Sequence, residues 1–303
     1  MQFDSIKTRL MLMTVICVLG MGLLLGTQHL ALQRLSALHQ QQELLLRLGQ
    51  DLLQMRRHEK DFLLRHQMTY FFTFNERATI FSERLSQLSP VFSEYNLPVS
   101  QAGALAKAMH QYQTMFLQVT TLQREIGLSA SKGLKGELQN IESELMRHNF
   151  FNPQGTAYPL LVQLRLASRD YMLSRDPYYA QHFKSQMQLL MRISREEEAI
   201  GSLLSRYLAI FSELAQKLNA MGMSQNEGLR GEFREQAHRV EAQLTDIDKA
   251  LAPLISEQES HARITSISIA TVTCVVLILL LVKSFATFHR AFANFVMFFY
   301  RCK

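Results

Sequence analysis

The sequence predicts an all-α protein, and three observations support this class. Residues that favour helices, such as Leu, Gln, Met, Arg, Glu and Ala, are abundant, whereas 303 residues include only 13 glycines and 6 prolines. Apolar residues recur mainly at three- and four-residue steps, which is the spacing of one helix face. Strand-type alternation of polar and apolar residues is rare.

Composition excludes several classes of protein. Charged residues make up 19% and hydrophobic residues 48%, which is not the composition of a disordered chain. The net charge of +6 is modest, and the basic residues are spread among acidic ones, whereas nucleic-acid binding needs a clustered basic face. The motifs of metalloproteases, phosphate loops and nucleophile elbows are missing. We therefore expect no enzyme, no cofactor, no metal site and no nucleic-acid partner.

Two uncharged apolar runs flank the rest of the chain, and each is long enough to cross about 30 Å of hydrocarbon as a helix. Lys7 and Arg9 precede the first run, and Lys283 and Arg290 follow the second. The positive-inside rule therefore predicts a two-pass protein of the inner membrane, in contact with lipid, with both termini cytoplasmic. The predicted segments are a cytoplasmic N-terminus, a first span, a periplasmic region, a second span and a cytoplasmic tail, at residues 1–9, 10–27, 28–263, 264–282 and 283–303.

The region between the two spans has no cysteine, which excludes a disulfide framework and a thiolate metal site there. In the first span, Gly22 and Gly26 form a G-x-x-x-G pattern. This pattern either packs a helix closely against a dimer partner or arises by chance in a span that tolerates glycine.

The order of helices follows from periodicity and from breaker residues. One long helix, or two nearly continuous ones, is predicted from Gln28 to about Ser89, because this stretch has no proline and one glycine. A turn with two prolines covers residues 89–100. Asp176 is a predicted N-cap, with Pro177 as the first helical residue. The remaining helices are predicted at about 101–126, 133–148, 160–174, 177–221 and 229–263.

Helix lengths suggest how these helices are arranged. At about 1.5 Å per residue, residues 28–89 reach about 90 Å, whereas residues 229–263 cover about 50 Å. The last helix can then flank only the lower part of the first. Because the middle of the chain must cover the upper part, this comparison predicts two stacked helical tiers.

The sequence also contains an internal duplication. The turn GLSASKGLKGEL at 127–138 recurs without a gap as GMSQNEGLRGEF at 222–233, an offset of 95 residues. Upstream, RRHEKDFLL at 56–64 matches RLASRDYML at 165–173, an offset of 109 residues. The aromatic pairs Tyr112/Tyr207, Phe116/Phe211, Tyr70/Tyr179 and Phe74/Phe183 continue the match. The region between the spans therefore consists of two related helical modules.

Cationic residues are the most informative part of the repeat. Arg56 and Lys60 lie four residues apart on one helix face, as do Arg165 and Arg169. Like charges at this spacing cost a helix a few tenths of a kcal/mol, so their repetition favours an anionic ligand. Arginine suits a carboxylate, because it can donate two parallel hydrogen bonds. The alternative is local pairing, in which Asp61 holds neighbouring arginines one turn away.

The number of residues that separates each arginine from the nearest span indicates which parts of the first and last helices lie at the same height. Arg56 follows the end of the first span by 29 residues, and Arg234 precedes Arg263 by 29 residues. Two straight helices would hold both at the same height, about 43 Å. We therefore predict a cationic pocket between these helices. Its members are Arg56, Arg57, Lys60, Arg234 and His238.

Three motifs together resemble a known family. RRHEKDFLLR, RDYMLSRDPYY and the glycine turn, held between two spans, resemble the helical bimodular (HBM) sensor domain of bacterial methyl-accepting chemotaxis proteins, over roughly residues 28–263. The resemblance implies two stacked four-helix-bundle modules, a homodimer, and small organic acids as ligands. It implies that Arg56, Arg57 and Lys60 hold a carboxylate in one module, and that Arg165 and Arg169 do so in the other.

The tail departs from that family. FHRAFANFVMFFYRCK is apolar and too short for a cytoplasmic signalling domain, so we expect either a truncated sequence or an output supplied by a partner. Kinase-coupling proteins are expected partners only if a signalling domain exists. The second hypothesis is the sensor region of a histidine kinase or a cyclase-type signalling protein. The third is a structural coiled-coil membrane protein without a ligand.

Overall fold

A computed structural model describes residues 6–94, 99–224 and 226–301. This part of the chain is helical and has no strand, which confirms the predicted all-α class. The helices are α1 Ile6–Arg65, α2 Met68–Glu94, α3 Val99–Ile126, α4 Gly133–Arg147, α5 Ala157–Ser174, α6 Pro177–Ile193, α7 Glu198–Met221 and α8 Gly228–Arg301, with a short 3-10 helix at Asn149–Phe151. Parts of the predicted N-terminal segment, proline turn and tail lie outside the described residues, namely 1–5, 95–98 and 302–303.

The chain divides into two compact units. One combines residues 1–44 with residues 248–303, and the other is residues 45–247. The first unit contains both apolar runs. The second contains α2 to α7 together with the adjoining parts of α1 and α8, and all of the predicted ligand-binding residues lie in it.

Apolar helix segments characterise the first unit. Of the residues that the structure describes, the α8 segment Gly228–Lys283, which belongs to this unit from Asp248 onward, is long and apolar enough to cross a membrane, and its window of 18 residues has a mean hydropathy of 2.6. A shorter apolar segment, Cys17–Gln33, lies in α1. The two helices approach closely at Gly20, where an added Cβ would lie 2.5 Å from Cγ2 of Thr273. These features are compatible with a membrane protein.

Of the two alternatives predicted for Gln28 to about Ser89, one long helix is wrong, and two nearly continuous helices are found, separated by residues 66–67. The chain reverses after Arg65, and α2 returns along α1, so that Arg84 donates a hydrogen bond to Asp51. At the reversal His66 has a φ of 52°, a conformation that glycine adopts far more readily. The turn contains neither glycine nor proline, so the sequence gives no sign of it. The predicted reach of about 90 Å is wrong for the same reason.

The predicted helix from 177 to 221 is also interrupted. α6 ends at Ile193 and α7 begins at Glu198, and the three glutamates at 196–198 are exposed, as expected for a solvated segment. The predicted start of α6 is confirmed. Asp176 accepts a hydrogen bond of 2.9 Å from the backbone N–H of Tyr178, which satisfies one free donor at the helix N-terminus.

The repeated glycine turn is explained by backbone geometry. Its four bounding glycines all have positive φ, which is 127° at Gly127, 59° at Gly133, 88° at Gly222 and 55° at Gly228. A Cβ on Gly127 would lie 2.1 Å from the carbonyl oxygen of Lys132, and one on Gly222 would lie 1.9 Å from that of Glu227. Both copies therefore need glycine where their turn starts.

Aromatic packing shows that the two copies have equivalent cores. Phe74 contacts Tyr112 edge-on, with ring centroids 5.2 Å apart at 73°. The matching pair in the second copy, Phe183 and Tyr207, is also 5.2 Å apart, at 81°. Both tyrosines and both phenylalanines are fully buried. The sequence matches thus correspond to equivalent positions in the fold.

The two copies exchange their last helices. By sequence, the first copy runs from the 45–65 part of α1 to α4, and the second from α5 to the beginning of α8. Phe233 on α8, however, stacks on Tyr112 and Phe116 of α3, with centroids 5.1 and 5.3 Å apart. Conversely, α4 contacts the second copy, because Glu142 accepts hydrogen bonds from Arg165 of α5 and Tyr207 of α7. Each group of packed helices therefore combines three helices of one copy with the last helix of the other.

We expect Gly222→Ala to destabilise the protein by about 1–3 kcal/mol, because alanine would meet the Glu227 carbonyl in an unfavourable backbone conformation. Chemical denaturation of the full-length protein in detergent micelles measures this loss. Gly103→Ala is the matched control, since Gly103 lies in α3 with open space around it. It should instead stabilise by about 0.5–1 kcal/mol. Equal effects of the two substitutions would contradict the geometry of the turn.

Candidate functional site

A cleft of about 520 Å³ lies between α1 and α8 in the second unit. Its lining residues are Arg56, Glu59, Lys60, Leu63 and Leu64 of α1 and Arg230, Phe233 and Arg234 of α8. Four cationic side chains thus meet one carboxylate beside an apolar wall. The volume falls in the range of small-molecule sites. The equal spacing of Arg56 and Arg234 from the apolar runs predicts a common level, and the structure places both residues at this cleft.

Arg56 is held by two carboxylates rather than being free. Its side chain is 13% exposed, with Nη1 2.5 Å from Oε2 of Glu59 and Nε 3.2 Å from Oε1 of Glu241. Burial lowers the pKa of the Arg56 guanidinium, but Glu59 and Tyr112 more than offset this, so the net shift is upward. Arg56 therefore stays charged and links α1 to α8.

Glu59 is the buried centre of this arrangement. It is 4% exposed and accepts a second hydrogen bond, from the hydroxyl of Tyr112 on α3. Burial raises the pKa of the Glu59 carboxyl, and the Arg56 guanidinium and the Tyr112 hydroxyl oppose that rise. Burial and the neighbouring carboxylate raise the pKa of Tyr112 well above its usual range. The hydroxyl therefore remains protonated and keeps donating to Glu59.

Arg234 and His238 extend the network along α8. Nη1 of Arg234 donates to Oδ1 of Asn226 at 2.7 Å, and its Nε lies 3.4 Å from Nε2 of His238. Nδ1 of His238 lies 2.9 Å from Oε2 of Glu241. The tautomer that satisfies both neighbours accepts at Nε2 and donates from Nδ1. His238 thus connects Arg234 with Glu241 and is not among the residues that line the cleft.

Two cations at the cleft have no carboxylate partner among the described residues, Lys60 and Arg230. Lys60 is exposed and Arg230 half-buried, and Nε of Arg230 is buried without a hydrogen-bond partner. Burial lowers the pKa of the Arg230 guanidinium. Sequence reasoning left Arg230 out of the pocket, although it precedes Arg234 by one helical turn.

Arg57 faces a second, more open cleft of about 710 Å³ at the junction of α1 and α2. His58 and Tyr70 also line it, with ring centroids 6.4 Å apart. Asp61 pairs with Arg65 at 3.6 Å, so the predicted local pairing occurs on one side. Arg57 does not join Arg234, and the prediction of one pocket holding both is corrected. Arg56 and Lys60 line both clefts, whereas Arg57 does not line the first, because it points about 100° away from Arg56 around the helix.

The second copy repeats the buried carboxylate. Glu142 is 4% exposed, and its Oε2 accepts from Nε of Arg165 at 3.3 Å. Its Oε1 accepts from Ser168 at 3.1 Å and from the Tyr207 hydroxyl at 2.8 Å. Arg165 is thus paired inside the protein, whereas Arg169 is exposed. The two predicted outer-site arginines therefore differ in surroundings.

The carboxylate has changed helix between the copies. At the 109-residue offset, Glu59 corresponds to Ser168, and at the 95-residue offset Glu142 corresponds to Ala237. In the group formed by α1, α2, α3 and α8, the glutamate is Glu59 on α1 and the alanine is Ala237 on α8. In the group formed by α5, α6, α7 and α4, the serine is Ser168 on α5 and the glutamate is Glu142 on α4. Sequence comparison missed both glutamates, because neither has an acidic counterpart.

Among the described residues, no three His, Cys, Asp or Glu side chains come together as metal ligands. Comparison of the chain with protein-family models, with curated proteins and with solved structures finds no match in any of them. The resemblance to helical bimodular sensors therefore depends on the quoted motifs.

The different position of the carboxylate in the two copies can be tested by moving the carboxylate of the first group of helices from position 59 to position 237. We expect Glu59→Ser to destabilise the protein by about 3–5 kcal/mol, because it leaves the largely buried Arg56 without its main partner. Ala237→Glu alone should also destabilise, because it places a carboxylate at a fully buried position of the group of helices that already contains Glu59. The double variant reproduces the arrangement of the second copy and should recover at least half of the loss, as measured by chemical denaturation.

The control for this experiment combines Glu59→Ser with Ala220→Glu, which adds a carboxylate at an exposed position of α7. That combination should recover nothing. If the decreases in the free energy of unfolding caused by Glu59→Ser and Ala237→Glu simply add in the double variant, a carboxylate at position 237 cannot replace the one at position 59.

Proposed function

We propose that this chain is the sensor region of a transmembrane chemoreceptor and that it binds a small organic acid in the cleft between α1 and α8. In this proposal the helix groups are two stacked four-helix-bundle modules, held outside the membrane between two transmembrane helices in a homodimer. The observation that carries the proposal is the excess of positive charge at the cleft. Four cations line the cleft with one carboxylate, Glu59, which already has partners, and Glu241 adds a second carboxylate that pairs with Arg56.

The chemistry of the cleft favours a dicarboxylate. Lys60 and Arg230 have no carboxylate partner among the described residues, and they come from opposite walls. Arg230 offers a planar fork that can bind a carboxylate through two hydrogen bonds, and Lys60 offers a point charge. Between them, Leu63, Leu64 and Phe233 supply apolar surface for a short carbon chain. Two carboxylates at the ends of such a chain would neutralise both free cations.

Signal transmission would use α8. This helix carries Arg230 and Arg234 at the cleft and is continuous through the apolar segment that ends at Lys283. A ligand that contacts both α1 and α8 favours the arrangement of these helices in which both walls reach it. The response is then a population shift that requires different ligand affinity in two arrangements.

We expect at least one carboxylate of two to six carbons to stabilise the full-length protein in a thermal-shift screen, and calorimetry to give its dissociation constant. A ligand at 100 times that constant adds about 2.7 kcal/mol to stability. Lys60→Ala should weaken binding by about tenfold or more, since it removes a charge-assisted contact. Lys60 is preferred to Arg56 for this test because it forms no salt bridge with the described residues, whereas Arg56 pairs with Glu59 and Glu241.

Lys184→Ala, at an exposed position of α6, is the matched control and should bind like the unaltered protein. A screen in which no carboxylate stabilises the protein would favour the structural membrane protein instead. A confirmed ligand that binds Lys60→Ala with unchanged affinity would move the site away from this cleft.

A further inference from the structure

Three cationic side chains and one histidine, contributed by the turns of the two copies, interact electrostatically with one another. They are His66 after α1, Lys135 near the start of α4, Arg175 after α5 and Arg230 near the start of α8. We call this group the junction cluster. Its members lie close enough to act on one another electrostatically. Burial lowers the pKa of His66, and Lys135 and Arg230 lower it further. Burial lowers the pKa of Lys135, and Arg175 adds to that effect.

Each copy of the duplication contributes two members to the junction cluster, at equivalent positions. His66 and Arg175 correspond at the 109-residue offset, and Lys135 and Arg230 correspond at the 95-residue offset. His66 and Arg175 share an unusual backbone conformation, with φ of 52° and 59°. Each backbone N–H closes the preceding helix, at 2.7 Å from the Phe62 carbonyl oxygen and 2.8 Å from that of Tyr171. Because the copies exchange their last helices, both halves of the cluster reach one place.

The cluster lacks the partners that its charges need. Nε2 of His66, Nη1 of Arg175 and Nε of Arg230 are all buried without a hydrogen-bond partner. Among the described residues, no Asp or Glu pairs with Lys135, Arg175 or Arg230. Elsewhere the same fold neutralises its half-buried arginines, as with Arg56 and Arg165. The cluster is therefore an exception within its own protein, and it has the composition of an anion site.

We propose that the junction cluster binds a compact oxyanion with at least two negative charges, of which inorganic phosphate is the simplest. Donors arrive from four separate chain segments, which suits an anion that offers acceptor oxygens in several directions. Arginine and lysine are the side chains that bind such groups most readily. This site differs from the proposed carboxylate cleft, because His66, Lys135 and Arg175 do not line that cleft. Arg230 borders both.

The test is calorimetry and thermal shift of the full-length protein in non-ionic detergent with inorganic phosphate, against sodium chloride of equal ionic strength. We expect saturable phosphate binding and a higher melting temperature in phosphate. Arg175→Gln and Lys135→Gln should each weaken phosphate binding by about tenfold or more, because each removes a charge-assisted contact. Without phosphate, both variants should melt no lower than the unaltered protein, since each relieves repulsion between like charges.

Arg206→Gln, at an exposed position of α7, is the control and should bind phosphate normally. Phosphate that stabilises no more than chloride, or that binds Arg175→Gln as tightly as the unaltered protein, would overturn the proposal. The two sites can be separated by cross-testing. Lys60→Ala should retain phosphate binding, and Arg175→Gln should retain carboxylate binding, so either proposal can fail while the other stands.

Discussion

A buried glutamate bound by an arginine and a tyrosine hydroxyl is the interaction on which this structure depends. Glu59 and Glu142 each occupy the interior of a group of helices, and each receives such a pair. A buried carboxylate is costly unless charge and hydrogen bonds compensate it. Compensation requires the arginine and the tyrosine to stand at one level, and they come from different helices. Glu142 therefore fixes the register of α4, α5 and α7, and Glu59 fixes that of α1 and α3, to which Arg56 adds α8 through Glu241.

The same network decides which charges remain available at the surface. Glu59 and Glu241 hold Arg56, and Asn226 and His238 hold Arg234. These two arginines shape the cleft without being free to bind. Lys60, on the same face and one turn further along α1, has no such tie. The division between structural and available cations thus follows from which side chains reach an acceptor inside the protein.

The sequence predicted what depends on composition and on glycine, and it missed what depends on individual contacts. Helical class, the duplication and the glycine turns were visible from the sequence. Both copies keep glycine in the turn, because a Cβ on Gly127 or Gly222 would collide with a carbonyl oxygen. The reversal at His66 was not visible, because histidine occupies a conformation that glycine usually takes. The two glutamates were hidden, because each stands opposite a small residue in the other copy. Register along α1 and α8 correctly placed Arg56 with Arg234, whereas adjacency in sequence wrongly added Arg57.

The exchange of last helices has a consequence for how such a protein arose. A chain with one copy would leave its own last helix uncovered and the core of its first three helices open along one side. Two identical chains could satisfy each other by trading that helix, as in a symmetric domain-swapped pair. Joining the two genes end to end would preserve every contact and remove the need for a second molecule. The present chain has the connectivity expected of such a fusion.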